Sequence, residues 1–187
     1  MNLRLAKTDL FAELDETVFT FRERALRDGI EVKYSIPEVP AIANADANRL
    51  KQVFMNILDN ALKYSRSPSK IFVKAEFTKL DNQNFVKIAI ADQGCGISKE
   101  DLPHVKEKFY KANVSVRGSG IGLAVTNEIV NLHHGKLEID SQEGKGTLVT
   151  IYLPVENSPT KNELNDMKQN ETVQDAEINE GVEINKN

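Results

Sequence analysis

The spacing of apolar residues along the chain predicts three amphipathic helices. The first follows Asp9, a suitable helix N-cap, and stops at Gly29. The second runs from about Asp46 to Tyr64, and IGLAVTNEIVNLHHG predicts a third that is closed by Gly135. The apolar stripes of the first two helices are expected to face the core, and their members are Leu10, Phe11, Leu14, Val18, Phe21, Leu26, Leu50, Val53, Phe54, Ile57, Leu58, Ala61 and Leu62.

Alternation of apolar and polar residues predicts the strands. Residues 30–36 form one strand, residues 70–78 and 84–92 form a hairpin that turns at KLDNQ, and residues 136–154 form a hairpin that turns at EGKG. Helices combined with mostly hairpin-linked strands predict an α+β fold. We expect a two-layer sandwich, in which the three helices cover one face of a mixed, largely antiparallel sheet.

The remaining segments have no clear period. Residues 37–46, PEVPAIANAD, are interpreted as a connection, and residues 99–108 as a short helix inside a long polar loop. The tail is poor in aromatic residues and rich in Asn, Glu and Lys, so it is predicted to be largely disordered. The chain should therefore consist of one domain over residues 1–155 and an acidic tail over residues 156–187.

Composition and charge exclude several classes of protein. The chain has 187 residues and 40% hydrophobic residues, enough for one core. The tail carries eight acidic residues and three lysines, which leaves 20 acidic and 21 basic residues before it, so no basic surface for nucleic acid is indicated. The single cysteine excludes an internal disulfide and favours a reducing compartment.

The sequence also contains no apolar run that approaches the roughly 20 residues of a membrane-spanning helix, and MNLRLAKTDL is not a signal peptide. We therefore expect a cytoplasmic segment that makes no direct contact with a membrane. A membrane anchor in a longer parent protein stays open.

A row of polar residues follows one face of the second predicted helix. Gln52, Asn56, Asn60 and Lys63 are spaced i, i+4, i+8 and i+11, away from the apolar stripe. Two amide oxygens in line suit Mg²⁺, which prefers oxygen ligands and keeps several waters beside substrate phosphates. Lys63 and the adjacent Tyr64 would then meet phosphate and nucleoside. A solvated polar face explains the same row without any ligand.

A predicted strand ends at Asp92 and is followed by Gly94 and Gly96. A carboxylate at a strand end can accept a hydrogen bond from an exocyclic amine, and the glycines let the backbone approach a flat base. The alternative interpretation is an ordinary Asp-Gly turn. Cys95 lies in the same loop and has no evident catalytic partner.

RGSGIGLAV places three glycines at the start of the third predicted helix. Backbone N–H groups at a helix N-terminus bind phosphate, although a flexible hinge would have the same composition. No strand directly precedes these glycines, which excludes a dinucleotide-binding fingerprint. None of the three histidines has metal-ligand spacing, and His133 and His134 end the third helix, where a cation offsets the helix dipole.

These segments occur in an order that resembles a known family. DANRLKQVFMNILDNALKYS resembles an asparagine box, DQGCGIS a first glycine box, KFYKAN a phenylalanine box, GSGIGLAVTNEIVNLHHG a second glycine box and GKGTLVTIYLP a closing hairpin. Together, over roughly residues 8–154, they resemble the ATP-binding catalytic domain of bacterial sensor histidine kinases. The wider group also contains gyrase-type, Hsp90-type and mismatch-repair ATPases and shares the Bergerat ATP-binding fold with its mobile ATP lid.

The resemblance implies ATP and Mg²⁺ as cofactors and assigns the phosphate end of a site. Asn56 would hold Mg²⁺, Asn60 would contact the phosphates and the metal's water shell, and Lys63 would contact phosphate. Asn56 and Lys63 would be the catalytic pair. Arg117 would reach the γ-phosphate from the lid. The phosphates would lie in the second glycine box, formed by Gly118, Ser119, Gly120, Ile121, Gly122 and Leu123.

The resemblance also assigns the base end. Asp92 would accept from the adenine amino group, and Tyr64 would border the nucleoside. Phe109 and Tyr110 would anchor the lid. The base pocket would be shaped by Gly94, Gly96 and Ile97, with Thr147 near the adenine.

One position separates branches of this group. ATP-hydrolysing relatives carry a glutamate at the position of Asn56, four residues before the second asparagine of the box, and a neutral amide cannot act as that general base. The resemblance therefore implies phosphoryl transfer to a histidine on a dimerisation and phosphoacceptor domain of the same parent kinase, which is absent from this chain. A response regulator would follow downstream. The alternatives are a stand-alone serine kinase or ATPase and, because the lid is short, a non-catalytic nucleotide-sensing module.

Overall fold

A computed structural model describes residues 2–112, 120–169 and 173–183. The strands, in chain order, are β1 (Ala6–Asp9), β2 (Ile30–Ser35), β3 (Ile42–Ala45), β4 (Ser69–Leu80), β5 (Gln83–Asp92), β6 (Lys136–Gln142) and β7 (Gly146–Pro154). The helices are α1 (Leu10–Arg27), α2 (Ala47–Tyr64), α3 (Gly122–Leu132), α4 (Lys161–Gln169) and α5 (Val173–Glu183). Among the described helices, none has the length and apolar character needed to span a bilayer.

The main sheet has five strands in the order β2-β4-β5-β7-β6, with β2 parallel to β4 and the other pairs antiparallel. Alternate residues such as Ile71, Val73, Ile88, Ile90 and Ile151 are fully or almost fully buried. They form one core with the apolar stripes of α1 and α2 and with the inner face of α3. The predicted α+β sandwich, with three helices on one face of a largely antiparallel sheet, is confirmed.

Side-chain caps fix where the first two helices begin. The Asp9 carboxylate accepts hydrogen bonds from the N–H groups of Phe11 and Ala12, and Asp46 accepts from the N–H of Arg49. The predicted stripe of α2 is buried throughout. The stripe of α1 needs one correction, because Leu26 is 69% exposed and Ala25 is the buried residue at this end of the helix.

Two connecting segments differ from the sequence interpretation. Residues 42–45 of the predicted connection form β3, which pairs with β1 in a small antiparallel sheet. The sequence of this strand, IANA, has too few residues for an alternating pattern to be recognised. The predicted short helix over residues 99–108 is instead a series of turns, and Pro103 in its middle has no N–H to continue a helical ladder.

The prediction of a largely disordered tail is corrected by α4 and α5. Asn157 accepts the N–H of Ile42 at 2.8 Å, which attaches the start of the tail to β3. Ile178 and Val182, spaced one helical turn apart on α5, are buried against the face of the main sheet opposite α1, α2 and α3. The shared apolar cluster on that face is formed by Phe72, Ala89, Ala91, Leu148, Ile178 and Val182.

Candidate functional site

A cavity of about 320 Å³ lies between α2, the start of α3 and the ends of β5 and β7. Most residues selected from the sequence line it. These are Asn56, Asn60, Lys63, Tyr64, Asp92, Gly96, Ile97, Tyr110, Gly120, Gly122, Leu123 and Thr147. Gly94, Phe109 and Ile121 do not line the cavity, although each is next in sequence to a residue that does. Arg117, Gly118 and Ser119 lie outside the described residues.

The polar row of α2 forms one wall of the cavity because the opposite face of the helix is held in the core. Ile57 and Leu58 are almost fully buried, which turns Asn56, Asn60 and Lys63 towards the cavity. The Asn56 amide nitrogen lies 3.5 Å from the Gly122 carbonyl and 3.4 Å from Thr126 Oγ1. Since the nitrogen faces these two acceptors on α3, the amide oxygen of Asn56 is the atom that remains for a cation.

Two lysines approach the same end of the cavity. Burial lowers the pKa of Lys63 from its usual value, and the nearby Lys111 ammonium lowers it further. Lys63 Nζ also lies 5.2 Å from the centroid of the Tyr64 ring. Lys111, which the sequence interpretation did not select, lines the cavity as well. This end of the cavity therefore attracts anions.

Asp92 lines the same cavity, at the end of strand β5. Its side chain is almost fully buried, and its carboxylate accepts a hydrogen bond from the Gly94 N–H at 2.8 Å. Burial raises the pKa of Asp92 to about 6, although the backbone hydrogen bonds from Gly94 and Thr147 act in the opposite direction. A carboxyl group with such a shifted pKa inside a cavity is typical of a functional position.

Close backbone contacts explain the glycines that follow Asp92. A Cβ at position 94 would lie 2.5 Å from the Tyr64 carbonyl oxygen. Gly96 has φ +67°, and a Cβ there would lie 2.0 Å from the Gln142 carbonyl oxygen. The loop is thus packed between the end of α2 and the β6–β7 hairpin, which brings Ile97 to the cavity wall.

The residues on either side of the undescribed segment contact each other through the backbone. The Phe109 N–H donates to the Gly120 carbonyl at 2.9 Å, while the Phe109 ring is 73% exposed. The Tyr110 hydroxyl donates to Asp101, and Tyr110 lines the cavity. Phe109 thus contacts Gly120 through its backbone, and its role as a lid anchor stays a prediction.

Sequence reasoning missed several residues of the site. Asp59 lines the cavity and forms an ion pair of 2.7 Å with Arg24 of α1. Thr126 is fully buried against Asn56. Ser141 on β6 contacts both Ile97 and Thr147. Asp59 could have been found from its place beside Asn60, but Thr126 and Ser141 become visible only when separate elements meet.

The metal-binding potential of the site rests on amide oxygens. Among the residues that the structure describes, no group of three or more His, Cys, Asp or Glu side chains could hold a metal ion. Asn56 and Asn60 supply neutral oxygens in line along α2, one turn apart. Such a donor set fits a hard cation that receives most of its charge compensation from a bound anion.

The sequence profile of the histidine kinase-, DNA gyrase B-, and HSP90-like ATPases matches residues 45–157, more than half of the chain. The chain belongs to this ATPase family. The family assignment expected from the order of the sequence boxes is confirmed, and the matched range contains α2, α3, β4, β5 and the β6–β7 hairpin.

Individual members of the ATPase family are similar in sequence to this chain over most of its length. The Caulobacter vibrioides non-motile and phage-resistance protein is 33% identical over 86% of this chain and 20% of its own length. Sporulation kinase E of Bacillus subtilis is 39% identical over 64% of this chain and 15% of its own length. The chain therefore spans about a fifth or less of these relatives.

A solved structure of a mycobacterial sensor histidine kinase, MprB, shares 28% identity with the chain. The match covers 82% of this chain and 99% of that one, with a TM-score of 0.66. The fold of this member of the ATPase family is thus that of sensor histidine kinase catalytic domains.

Proposed function

We propose that this chain is the ATP-binding catalytic domain of a two-component sensor histidine kinase. It binds Mg-ATP and delivers the γ-phosphoryl group to a histidine on a separate dimerisation and phosphoacceptor domain of the same parent kinase. The observation that carries the proposal is that Asp92, Asn56, Asn60 and Lys63 line one cavity. Membership of the ATPase family supports it.

The phosphate end supplies positive charge and backbone donors. Lys63 and Lys111 line the cavity beside Gly120 and Gly122 at the start of α3, where the N–H groups of a helix N-terminus favour anions. Asn56 would hold Mg²⁺ together with the phosphates, and Asn60 would contact the phosphates and the water shell of the metal. The metal, when bound, neutralises charge that develops on the phosphate oxygens during transfer.

The base end is suited to a purine that carries an amino group. Asp92 is buried at the end of β5, and an ionised carboxylate only accepts hydrogen bonds. An exocyclic amine donates into this position, which compensates part of the cost of burying the charge. Tyr64 and Ile97 also line the cavity and would contact the flat faces of the base.

Transfer to a histidine is favoured over hydrolysis by the residue at position 56. The bond from the γ-phosphorus to the β–γ bridging oxygen breaks, a bond to an imidazole nitrogen forms, and ADP leaves. Hydrolysis needs a base that activates water, and the Asn56 amide cannot accept that proton. Among the described lining residues the carboxylates are Asp59, which is paired with Arg24, and Asp92, at the base end.

The similarity to sensor kinases indicates the cellular setting of the proposal. Relatives include the sensor protein kinase WalK of Staphylococcus epidermidis, which is 34% identical over 72% of this chain. The domain would act in the cytoplasm, either in a membrane-anchored parent kinase or in one without an anchor, and a response regulator would receive the phosphoryl group from the histidine. This segment itself is proposed to bind neither nucleic acid nor membrane.

The test is a phosphotransfer assay with purified proteins. The chain is mixed with the phosphoacceptor domain of the parent kinase, Mg²⁺ and ATP labelled at the γ-phosphate. We expect acid-labile, alkali-stable label on the acceptor histidine and none on an acceptor whose histidine is replaced by glutamine. Asn56→Ala should reduce transfer by about tenfold or more, the loss expected for a hydrogen bond or ligand to a charged group.

Gln52→Ala is the matched control. Gln52 lies one turn before Asn56 in the same polar row, but it contacts Arg49 and does not line the cavity. Transfer by this variant should equal that of the wild type. If the acceptor histidine stays unlabelled at every mixing ratio while the chain alone hydrolyses ATP rapidly with Mg²⁺, the ATPase alternative replaces the kinase proposal.

A further inference from the structure

Ser141 lies on β6 at the base end of the cavity, and its hydroxyl group has three partners. The Ile97 N–H donates to Ser141 Oγ at 2.9 Å. Ser141 Oγ donates to the Gly146 carbonyl at 2.8 Å. It also lies 2.9 Å from Thr147 Oγ1. Ser141 thus joins the loop after Asp92 to the strand that carries Thr147.

The chemistry of these partners decides which way each proton points. A hydroxyl group has one proton and two lone pairs. A backbone N–H can only donate and a backbone carbonyl can only accept, so Ser141 receives from Ile97 and places its proton on Gly146. Its remaining lone pair can then only accept, which makes Thr147 the donor in their contact.

The hydroxyl of Thr147 consequently turns its lone pairs, and not its proton, towards the cavity that it lines. Thr147 is paired directly with Asp92 across β5 and β7. An ionised carboxylate offers only acceptors as well. The two side chains therefore present a wall of acceptors to the edge of a bound base.

We propose that Ser141 is a positioning residue that makes this wall accept only, and that it thereby selects a purine with an amino group at C6 over one with a carbonyl there. The inference rests on the proposed nucleotide site. An amino group donates two hydrogens to the acceptor wall. A C6 carbonyl would face acceptors and lose the hydrogen bonds it makes with water, and an unpaired buried polar group is a strong basis for rejection.

Removal of the Ser141 hydroxyl frees the Thr147 proton. Thr147 can then rotate and donate to a C6 carbonyl, so the site should tolerate the 6-oxopurine. The effect should be a change in the ratio of two affinities. A loosening of the fold would lower both affinities together.

The test measures equilibrium binding of Mg-ATP and Mg-ITP to the full chain. The two bases differ at C6, which carries an amino group or a carbonyl, and at N1, which accepts a hydrogen bond in ATP and donates one in ITP. We expect wild type to prefer ATP, and Ser141→Ala to lower the ATP-to-ITP affinity ratio by about tenfold, as for one hydrogen bond to a polar edge. Thr147→Val should lower the ratio similarly, and the double variant should lower it no further, because both substitutions remove the same oriented group. Thr147→Ser keeps a hydroxyl and should retain most of the wild-type ratio.

Each outcome decides the inference. A ratio unchanged by Ser141→Ala overturns it, whether or not both affinities fall together, and additive effects in the double variant do the same. If Ser141→Ala does not fold, as judged by circular dichroism, the comparison of Thr147→Val with Thr147→Ser decides alone, and equal ratios in these two variants overturn the inference. If wild type binds neither nucleotide, the proposed nucleotide site fails and the inference fails with it.

Discussion

The Asp92 carboxyl group lines the cavity, and its burial makes the ionised form less favourable in the folded chain. Burial raises its pKa to about 6 in the folded chain, whereas an aspartate in an unfolded chain ionises near pH 4, at roughly 3.9. Between these two values the folded state binds more protons than the unfolded state. The free energy of unfolding must therefore fall as the pH rises from about 4 to about 6. In the proposed nucleotide site, the ionised form would accept a hydrogen bond from the amino group of the base.

Asp92→Asn should remove this dependence on pH. Relative to the variant, the wild type should lose up to about 3 kcal/mol of unfolding free energy between pH 4 and pH 7, because each pKa unit corresponds to about 1.4 kcal/mol. Urea unfolding of both proteins at several pH values between 4 and 7 measures the difference. Parallel curves for the two proteins would show that burial of the Asp92 carboxylate carries no such cost.

The two lysines that line the cavity are predicted to contact the phosphates and not the base. Lys63→Met and Lys111→Met should each lower ATP affinity by about tenfold and leave adenosine affinity unchanged, since a charged hydrogen bond contributes about 1.5–3 kcal/mol. Calorimetric titration with both ligands measures this split. Lys108→Met is the control, because Lys108 pairs with Glu128 outside the cavity. An equal loss of adenosine affinity would instead indicate that these lysines stabilise the fold or contact the base.

At the scale of elements, both ends of α3 are attached to α2 or its N-cap. Near the cavity, Asn56 contacts Gly122 and Thr126. At the far end, the buried ring of His133 accepts the Asp46 N–H through Nε2 at 3.0 Å and contacts the Ile129 carbonyl through Nδ1 at 2.8 Å. Since the carbonyl only accepts, Nδ1 is the donor in the second of these contacts.

His133→Ala should therefore destabilise the fold. It leaves the N–H of Asp46 and the carbonyl of Ile129 with one partner fewer inside the protein, at a cost of about 1–3 kcal/mol. Chemical denaturation of the two proteins at neutral pH measures the change. His104→Ala, at an exposed ring whose contacts among the described residues are Glu107 and Tyr110 of the same loop, should stay within about 0.5 kcal/mol of the wild type. Equal effects of the two substitutions would contradict the role of His133.

The sequence predicted the elements better than the contacts between them. The bounds and buried face of α2 followed from a regular apolar period and the cap at Asp46, which are local signals. The selection of Asn56 and Asp92, which line one cavity, followed from the family resemblance. His133 and Ser141 could not be found in this way, because their partners lie on elements that are distant in sequence.

At the scale of the whole molecule, α5 gives the sheet a partial second cover. Glu177 of α5 pairs with Lys70 of β4, and Ile178 and Val182 pack on Phe72 and its neighbours. The tail sequence hid this helix, because two apolar residues one turn apart in an acidic segment do not make a stripe. The apolar residues on the outward positions of β4, β5 and β7 were the available signal.

Replacement of Ile178 by aspartate should undock α5, because a carboxylate cannot be buried among apolar side chains without a partner. Hydrogen exchange followed by mass spectrometry should show lost protection over residues 173–183, while α2 stays protected. Leu164→Asp is the matched control, at a leucine of α4 that is 41% exposed. Unchanged protection of α5 in Ile178→Asp would contradict the contact with the sheet.

The most direct test of the central claim is the dependence of ATP affinity on Mg²⁺. Calorimetry of the wild type, Asn56→Ala and Asp92→Asn, with Mg²⁺ and with a chelator, separates the two ends of the cavity. The wild type should bind ATP more tightly with Mg²⁺, Asn56→Ala should lose most of that difference, and Asp92→Asn should bind at least about tenfold more weakly in both conditions. Unchanged ATP binding in both variants would contradict a nucleotide site in this cavity.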